Sequence, residues 1–407
     1  MNTPRIVIAG AGTAGHHLAA ALRESGFDGA VSLIGDEPHL PYHRPPLSKD
    51  YLAGTAHPDS LSLRAPAFYT EHKVATHLGI PVRQIDRTTH RVVLADDRPL
   101  AYDHLVLALG ASPRPFDIPG RDLRGVVELR TRADAESLRE HLREGCRVVV
   151  VGGGFIGLEV AAAARKRGAD VTVLEAKPTL MSRALSTTAA AHLAELHTAQ
   201  GVQVVCSTAV SALEGSAGRV YAVTTTGGQR LAADVVVLGS GVVPNVAPAA
   251  AAGLDVANGV VVDEYLTTSD PRISAVGDCA NFPAPCGDRI RLESIQNAVD
   301  QARYVARRIN GHTGTYSAVP YFWSDQFGMK LQIVGHAARS DRTVIRGTDT
   351  KFSIFRFHGD ELAAVESIND PMTHLTVRKI LGAGGTLTPD QADETVDLRA
   401  LARNLAG

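Results

Sequence analysis

The chain has 407 residues, with 43 acidic against 41 basic side chains and a formal net charge of −2. That balance excludes a global electrostatic pull toward nucleic acid or a membrane surface, and no apolar run approaches the roughly 20 residues of a bilayer span. At this length two or three domains are expected rather than one core. The first predicted element is the buried strand Ile6-Val7-Ile8-Ala9, followed at once by Gly10-Ala11-Gly12-Thr13-Ala14-Gly15. An alanine-rich helix comes next, then a second strand, Val31-Ser32-Leu33-Ile34, with Asp36 just beyond its end. Because the first strand opens within a few residues of Met1, no room is left for a signal peptide, and a cytoplasmic location is expected.

The stretch Pro41-Tyr42-His43-Arg44-Pro45-Pro46-Leu47-Ser48-Lys49 breaks the alternation with three prolines. It reads either as a rigid surface turn or as a stiff wall carrying Arg44 and Lys49 toward a cofactor. The second reading is favoured because the wall directly follows the first glycine unit. Short strands are predicted at Val82–Asp86 and Arg91–Leu94, and Asp103–Ala111 reads as a buried strand ending in a glycine turn. A Pro- and Gly-rich linker from Ser112 to Gly125 marks a boundary.

The pattern then repeats. Val148-Val149-Val150-Val151 is followed by Gly152-Gly153-Gly154-Phe155-Ile156-Gly157, a predicted helix over Glu159–Arg167, and the strand Val171-Thr172-Val173-Leu174 ending at Glu175. A lone G-x-G-x-x-G is weak evidence. Here each copy has a strand before it, a helix after it and an acid at the end of the next strand, which is the full context of a dinucleotide site. The glycines serve the tight turn, the approach of backbone to pyrophosphate and the close packing of helix on strand. The phosphates then meet free N–H groups at a helix N-terminus. Asp36 and Glu175 are placed to accept hydrogen bonds from ribose hydroxyls. A carboxylate opposes a 2′-phosphate, so Glu175 argues for NADH over NADPH, with nearby Lys177 as the counter-signal. Two such units imply two dinucleotides, and adjacent dinucleotides usually exchange electrons.

Further along, a helix is expected from Ser186 to Ala199, a strand over Asp234–Leu238 ending at Gly239-Ser240-Gly241, and a strand over Arg272–Cys279 that carries Asp278 at its end. A helix opens near Ser294, with Ile295, Ala298, Val299, Ala302, Val305, Ala306 and Ile309 on one face and Arg303, Arg307 and Arg308 on the other. From Tyr316 short β-like runs and a final helical stretch suggest a third, smaller domain. The cysteines are Cys146, Cys206, Cys279 and Cys286, without C-x-x-C or C-x4-C spacing. That excludes a redox disulfide and an iron–sulfur cluster. Cys279 reads as a small buried residue rather than a reactive thiol. The sixteen histidines are taken as surface or core residues rather than as zinc ligands.

Taken together, Gly10–Gly15, Leu40–Lys49, Gly152–Glu159, Ala275–Asp278, Glu293–Ala298 and Phe322-Trp323-Ser324-Asp325-Gln326 resemble the flavoprotein ferredoxin reductases of bacterial oxygenase systems. The similarity runs nearly end to end, and its proline-rich and F-W-S-D-Q stretches are far more specific than either glycine motif. The resemblance implies an α/β, glutathione-reductase-like fold with two Rossmann-type domains and a smaller α+β C-terminal domain. The corresponding segments are 1–111 with 242–318 for FAD, 112–241 for NAD, and 319–407. It further implies electron transfer from NADH through FAD to a [2Fe-2S] ferredoxin serving a cytochrome P450 or a ring-hydroxylating dioxygenase.

Under that resemblance FAD is held by Gly10, Gly12, Ala14, Gly15, Asp36, Arg44, Lys49, Val82, Arg130, Asp278 and the helix N-terminus at Ile295 and Gln296. NADH is held by Gly152, Gly154, Ile156, Gly157, Glu159, Glu175 and Gly241. Glu159 is placed to accept a hydrogen bond from the nicotinamide carboxamide, and Lys49 to pair with it beside the flavin. The plain alternatives are a solvated first-turn carboxylate and a surface lysine. Trp323 reads either as a cover of the flavin edge or as a core aromatic of the third domain. Docking of an acidic ferredoxin is expected on Arg303, Arg307 and Arg308, with Lys330, Arg339 and Arg342 completing the patch. One departure is Ala108-Leu109-Gly110, where the family turn reads A-T-G, so a hydroxyl contact is lost. A rubredoxin reductase is the near alternative. A redox-signalling protein similar to the apoptosis-inducing flavoproteins is the alternative from another class, although no long basic or targeting segment is visible.

Overall fold

The computed structural model describes residues 4–284, 287–336 and 340–404. They form two compact units: Met1–His43 with Asp59–Ser112 and Val242–Ala318, and Arg44–Pro58 with Pro113–Gly241 and Val319–Gly407. Cys286 and Arg339 lie outside the described residues.

The first unit is built on a parallel sheet in the order Ile273–Ala275, His104–Leu107, Arg5–Ala9, Ala30–Ile34, Val74–His77. Its central strand pairs in register on both sides, Ile6 opposite Val31 and opposite His104. A strand buried on both faces must be apolar throughout rather than alternating, which is what Ile6–Ala9 supplies. A three-stranded antiparallel meander, Val82–Asp86, Arg91–Leu94 and Pro99–Ala101, belongs to this unit, as do helices Thr13–Glu24 and Ile295–Ile309.

The second unit repeats the plan. Its parallel sheet runs Gln203–Val205, Asp170–Leu174, Arg147–Val151, Val235–Leu238, Val126–Glu128, with Val149 opposite Thr172 and Val236. A second meander, Val210–Ser216, Arg219–Thr225 and Arg230–Ala232, stands where the first unit has its own. The unit also contains an antiparallel sheet in the order Tyr321–Gln326, Met329–Gly335, Glu361–Ile368, Lys351–His358, Arg342–Thr348. Helix Pro371–Gly382 packs on this sheet, burying Val377 and Ile380 with Val334, Phe355, Phe357 and Val365.

Two expected boundaries move. The strand predicted over Arg272–Cys279 ends at Ala275, and Gly277–Cys279 is a 3₁₀ turn, because Gly277 takes φ +75° and leaves the extended region. Asp278 therefore sits on a turn rather than on a strand end. The helix expected from Glu159 starts at Phe155 with Gly154 as its N-cap, so Gly157 and Glu159 both lie near its N-terminal end.

Candidate functional site

In each unit the glycine loop joins the central strand to a helix, and the two loops are built alike. Gly10 and Gly152 take φ of +121° and +109°, a region that only glycine enters freely. A Cβ on Gly15 would stand 1.9 Å from the Gly10 carbonyl oxygen, and one on Gly157 would stand 2.2 Å from that of Gly152. By contrast, a Cβ on Gly12 or Gly154 would meet nothing within 4 Å. These second glycines are the N-caps of helices Thr13–Glu24 and Phe155–Lys166, and neither helix has a side-chain cap. Open space in front of uncapped N–H groups and the positive end of a helix dipole suits a pyrophosphate.

Around the first loop, the Gly277 turn approaches Ala14 so closely that a Cβ there would lie 3.2 Å from the Ala14 methyl and 3.6 Å from that of Ala298. The turn is held by the Gly277 N–H donating to buried Gln301 at 2.7 Å, and Asp278 beside it is half-buried. Ser294 caps the helix that begins at Ile295, its hydroxyl accepting from the Asn297 N–H at 3.1 Å. Asp36 is exposed, accepting from the Glu37 N–H, and Val82 opens the meander opposite Leu94. At the Ala108-Leu109-Gly110 turn a Cβ on Gly10 would fall 2.1 Å from the Ala108 carbonyl oxygen, so the two backbones pack closely there. Cys279 is fully buried and burial pushes its thiol up to about 11, so it packs rather than reacts. His16, next to the third glycine, meets the Tyr69 hydroxyl at 2.9 Å, and burial lowers its pKa to about 3. Sequence reasoning gave no signal for that neutral, buried imidazole.

Around the second loop the acid folds back. Glu175 Oε2 accepts from the Gly153 N–H at 2.7 Å and Oε1 from the Lys177 N–H at 2.8 Å. Lys177 thus meets Glu175 through its backbone, and its residue is exposed. Ile156 stands 44% exposed in the first turn, and half-buried Gly241 takes φ +88° with a Cβ position 3.3 Å from the Arg183 guanidinium.

The proline-rich wall belongs to this unit. Pro45–Ser48 form a 3₁₀ turn, and the Arg44 guanidinium donates to the Arg130 carbonyl at 2.6 Å. Arg130 precedes the Thr131–Asp134 capping box of helix Arg132–His141, its own N–H donating to Asp134 at 3.1 Å. The wall delivers Ser48 and Lys49 to Glu159. Glu159 is buried, 6% exposed, with the Lys49 Nζ 3.2 Å from Oε1 and the Ser48 hydroxyl donating to Oε2 at 2.5 Å. The alternative of a solvated carboxylate is therefore set aside. Lys49 is also 3.9 Å from exposed Asp325. A further donor was missed in the sequence: Ser324, in the F-W-S-D-Q stretch, donates to Glu159 Oε1 at 2.6 Å. Trp323 is half-buried beside Tyr321, and Phe322 stacks on Phe155 at 6.4 Å between ring centroids.

The expected basic face needs one correction. Arg303 and Arg307 are exposed, but Arg308 is half-buried, donates to Ser274 at 2.7 Å, and burial lowers its pKa. Its long side chain reaches back over the sheet end instead of pointing outward. Lys330 and Arg342, on the antiparallel sheet, are exposed. Among the described residues no cluster of His, Cys, Asp or Glu is arranged to hold a metal, and no helix is long and apolar enough to cross a membrane.

A chain with two such loops, each on a parallel sheet and each followed by a meander, is a double-dinucleotide oxidoreductase. Residues 4–302 match the pyridine nucleotide-disulphide oxidoreductase family and residues 321–402 match the reductase C-terminal family, and the chain belongs to the former. It is 49% identical over 404 residues to a rhodocoxin reductase of Rhodococcus erythropolis, covering 98% of this chain and 95% of that one. A ferredoxin reductase for the CYP199A2 system from Rhodopseudomonas palustris superposes with a TM-score of 0.95 at 42% identity, covering 98% and 99% of the two chains. The reductase of a covalent putidaredoxin reductase–putidaredoxin complex gives 0.96 at 39% identity and 99% coverage of both. Despite the family description, the three described cysteines are all free thiols.

Proposed function

We propose that the protein is an FAD-dependent NADH:ferredoxin reductase, passing electrons to a [2Fe-2S] ferredoxin that serves a cytochrome P450 or a ring-hydroxylating dioxygenase. The observation that carries this reading is the pair of equivalent open loops, the second of them backed by a buried carboxylate paired with Lys49. In this reading 1–111 with 242–318 bind FAD, 112–241 bind NADH and 319–407 form a third domain. FAD supplies the step from hydride chemistry to single-electron release.

The chain's own residues supply position and charge. The uncapped N–H groups after Gly12 and Gly154 take the two pyrophosphates, and Asp278 with Val82 completes the FAD contacts. Glu159 accepts from the nicotinamide carboxamide, while Lys49 balances its charge. Glu175 accepts from the adenosine ribose and disfavours a 2′-phosphate. Arg303 and Arg307 steer an acidic ferredoxin, and the protein works in the cytoplasm. The direct test mixes purified holoprotein, NADH and a [2Fe-2S] ferredoxin, with rubredoxin in a parallel cuvette. Fast ferredoxin reduction supports the reading. Fast rubredoxin reduction alone would make it a rubredoxin reductase, and NADH oxidation by oxygen alone would favour a redox-signalling role.

A further inference from the structure

The F-W-S-D-Q strand has a role beyond packing. Ser324 does not end at Glu159. The Gln326 amide nitrogen donates to the Ser324 oxygen at 3.0 Å, and the Gln326 carbonyl oxygen meets His197 Nε2 at 2.7 Å. Glu159, Ser324, Gln326 and His197 are all buried, and the last three are at most 2% exposed. His197 comes from helix Thr187–Ala199 and Ser324 with Gln326 from the strand Tyr321–Gln326, so three segments far apart in sequence meet in one polar chain.

The direction of every bond in this chain is fixed by donor and acceptor inventory. A carboxylate only accepts, so the Ser324 proton must point at Glu159. The Ser324 oxygen is then left as an acceptor, which requires the nitrogen of Gln326, not its oxygen, on that side. The Gln326 oxygen in turn requires His197 to carry its proton on Nε2. Burial lowers the pKa of His197, and its Nδ1 has no hydrogen-bond partner among the described residues, which agrees with a neutral ring in that tautomer. Three groups, His197, Gln326 and Ser324, therefore point their donors one way and end on the Glu159 anion, an arrangement in which each bond polarises the next. Ser48 closes the opposite oxygen, so each oxygen of Glu159 accepts from a neutral hydroxyl.

We infer that Ser324, Gln326 and His197 are positioning residues for Glu159, which makes the strand Tyr321–Gln326 a working part of the nicotinamide site. The inference rests on the reading of Glu159 as the acceptor for the nicotinamide carboxamide. Without the relay the carboxylate gains rotamer freedom, and nicotinamide meets an acceptor that is no longer preset.

The test is stopped-flow flavin reduction of the holoprotein across a range of NADH concentrations, with Ser324→Ala, Ser324→Cys and Gln326→Met. Loss of a hydrogen bond to a charged group corresponds to about tenfold, expected as a weaker apparent NADH affinity or a lower limiting rate. FAD content and reduction by dithionite should remain as in the parent. Ser324→Cys, which keeps a weak donor, should fall between the parent and Ser324→Ala. In a Glu159→Ala background, Ser324→Ala should add less than about twofold, because the group it positions is gone. An equal additional loss in that background would mark Ser324 as merely structural and overturn the inference, as would parent-like kinetics in all three variants. If Ser324→Ala fails to hold FAD, Ser324→Cys and Gln326→Met decide. A parent protein that NADH does not reduce at all would instead overturn the underlying reading of the site.

Discussion

The parallel sheets that carry the two glycine loops repeat each other at the backbone and differ at the side chains. Strand order and loop conformation repeat, and so does a clamp at the sheet end. Arg5 holds Asp103 through its guanidinium at 3.0 Å on both oxygens and its N–H at 2.8 Å. Arg147 holds Asp234 at 3.0 and 2.7 Å with its N–H at 2.9 Å. The differences lie one step further out. Asp36 is exposed, whereas Glu175 is folded onto its own loop. Two residues after the third glycine the first unit has His17, a half-buried imidazole whose pKa burial lowers, and the second has Glu159 in its buried set of donors. Glycine geometry makes a phosphate cradle, and the side chains just behind it decide what chemistry the cradle serves.

The largest effects should separate the units outright. Gly15→Ala should yield a protein that purifies colourless, since overpacking of 1–3 kcal/mol or more at the loop costs about tenfold to a hundredfold in FAD affinity. Gly157→Ala should remain yellow but bleach with NADH at least tenfold more slowly. The two outcomes are read from the absorbance spectrum before and after NADH, and loss of FAD from both variants would show that the units do not bind independently. Next come Lys49→Ala and Glu159→Gln, each expected to slow hydride transfer by roughly tenfold to a hundredfold with FAD retained. Rates like the parent's would reduce this pair to a packing feature.

Glu175→Gln should narrow the preference for NADH over NADPH by about tenfold, the worth of one charged hydrogen bond. The corresponding Asp36→Asn should leave that preference untouched. Charge reversal is the next smaller effect. Arg303→Glu with Arg307→Glu in the first unit should slow ferredoxin reduction several-fold and flatten its salt dependence, because exposed charges act over about 8 Å at physiological salt. Reduction of ferricyanide should hardly change. Lys330→Glu with Arg342→Glu makes the matching test on the second unit.

The smallest effect concerns the clamps. Arg147 lowers the pKa of Asp234 from 3.8 to about 2, and Arg5 lowers that of Asp103 in the same direction. A depressed carboxyl contributes stability that is fully present above its unfolded pKa and is lost as pH falls through its folded one. Asp234→Asn should therefore cost about 1 kcal/mol or less near neutrality, given its partial exposure, and the cost should vanish between about pH 4 and pH 2. Thermal melts of Asp234→Asn beside the parent across that range would check it.

By itself the sequence was enough to locate both cradles, because their signals are local. Strand, glycine triad, helix and terminal acid follow one another within about 30 residues, and an apolar run buried on both faces needs no partner to be recognised. The helix Ile295–Ile309 was legible for the same reason, its burial following its own periodicity. Only the tertiary structure decided what surrounds Glu159. Ser48, Ser324, Gln326 and His197 span more than 270 positions of chain, and none differs in type from serines, glutamines and histidines elsewhere in it. Arg308 shows the limit at short range, since periodicity put it with Arg303 and Arg307 while a serine hydroxyl on a neighbouring strand drew it inward. The Arg–Asp clamps show it at long range, 98 and 87 residues apart. Backbone conformation is written in neighbours along the chain. Polar chemistry in a buried site depends on which distant donors arrive there, and packing alone sets that.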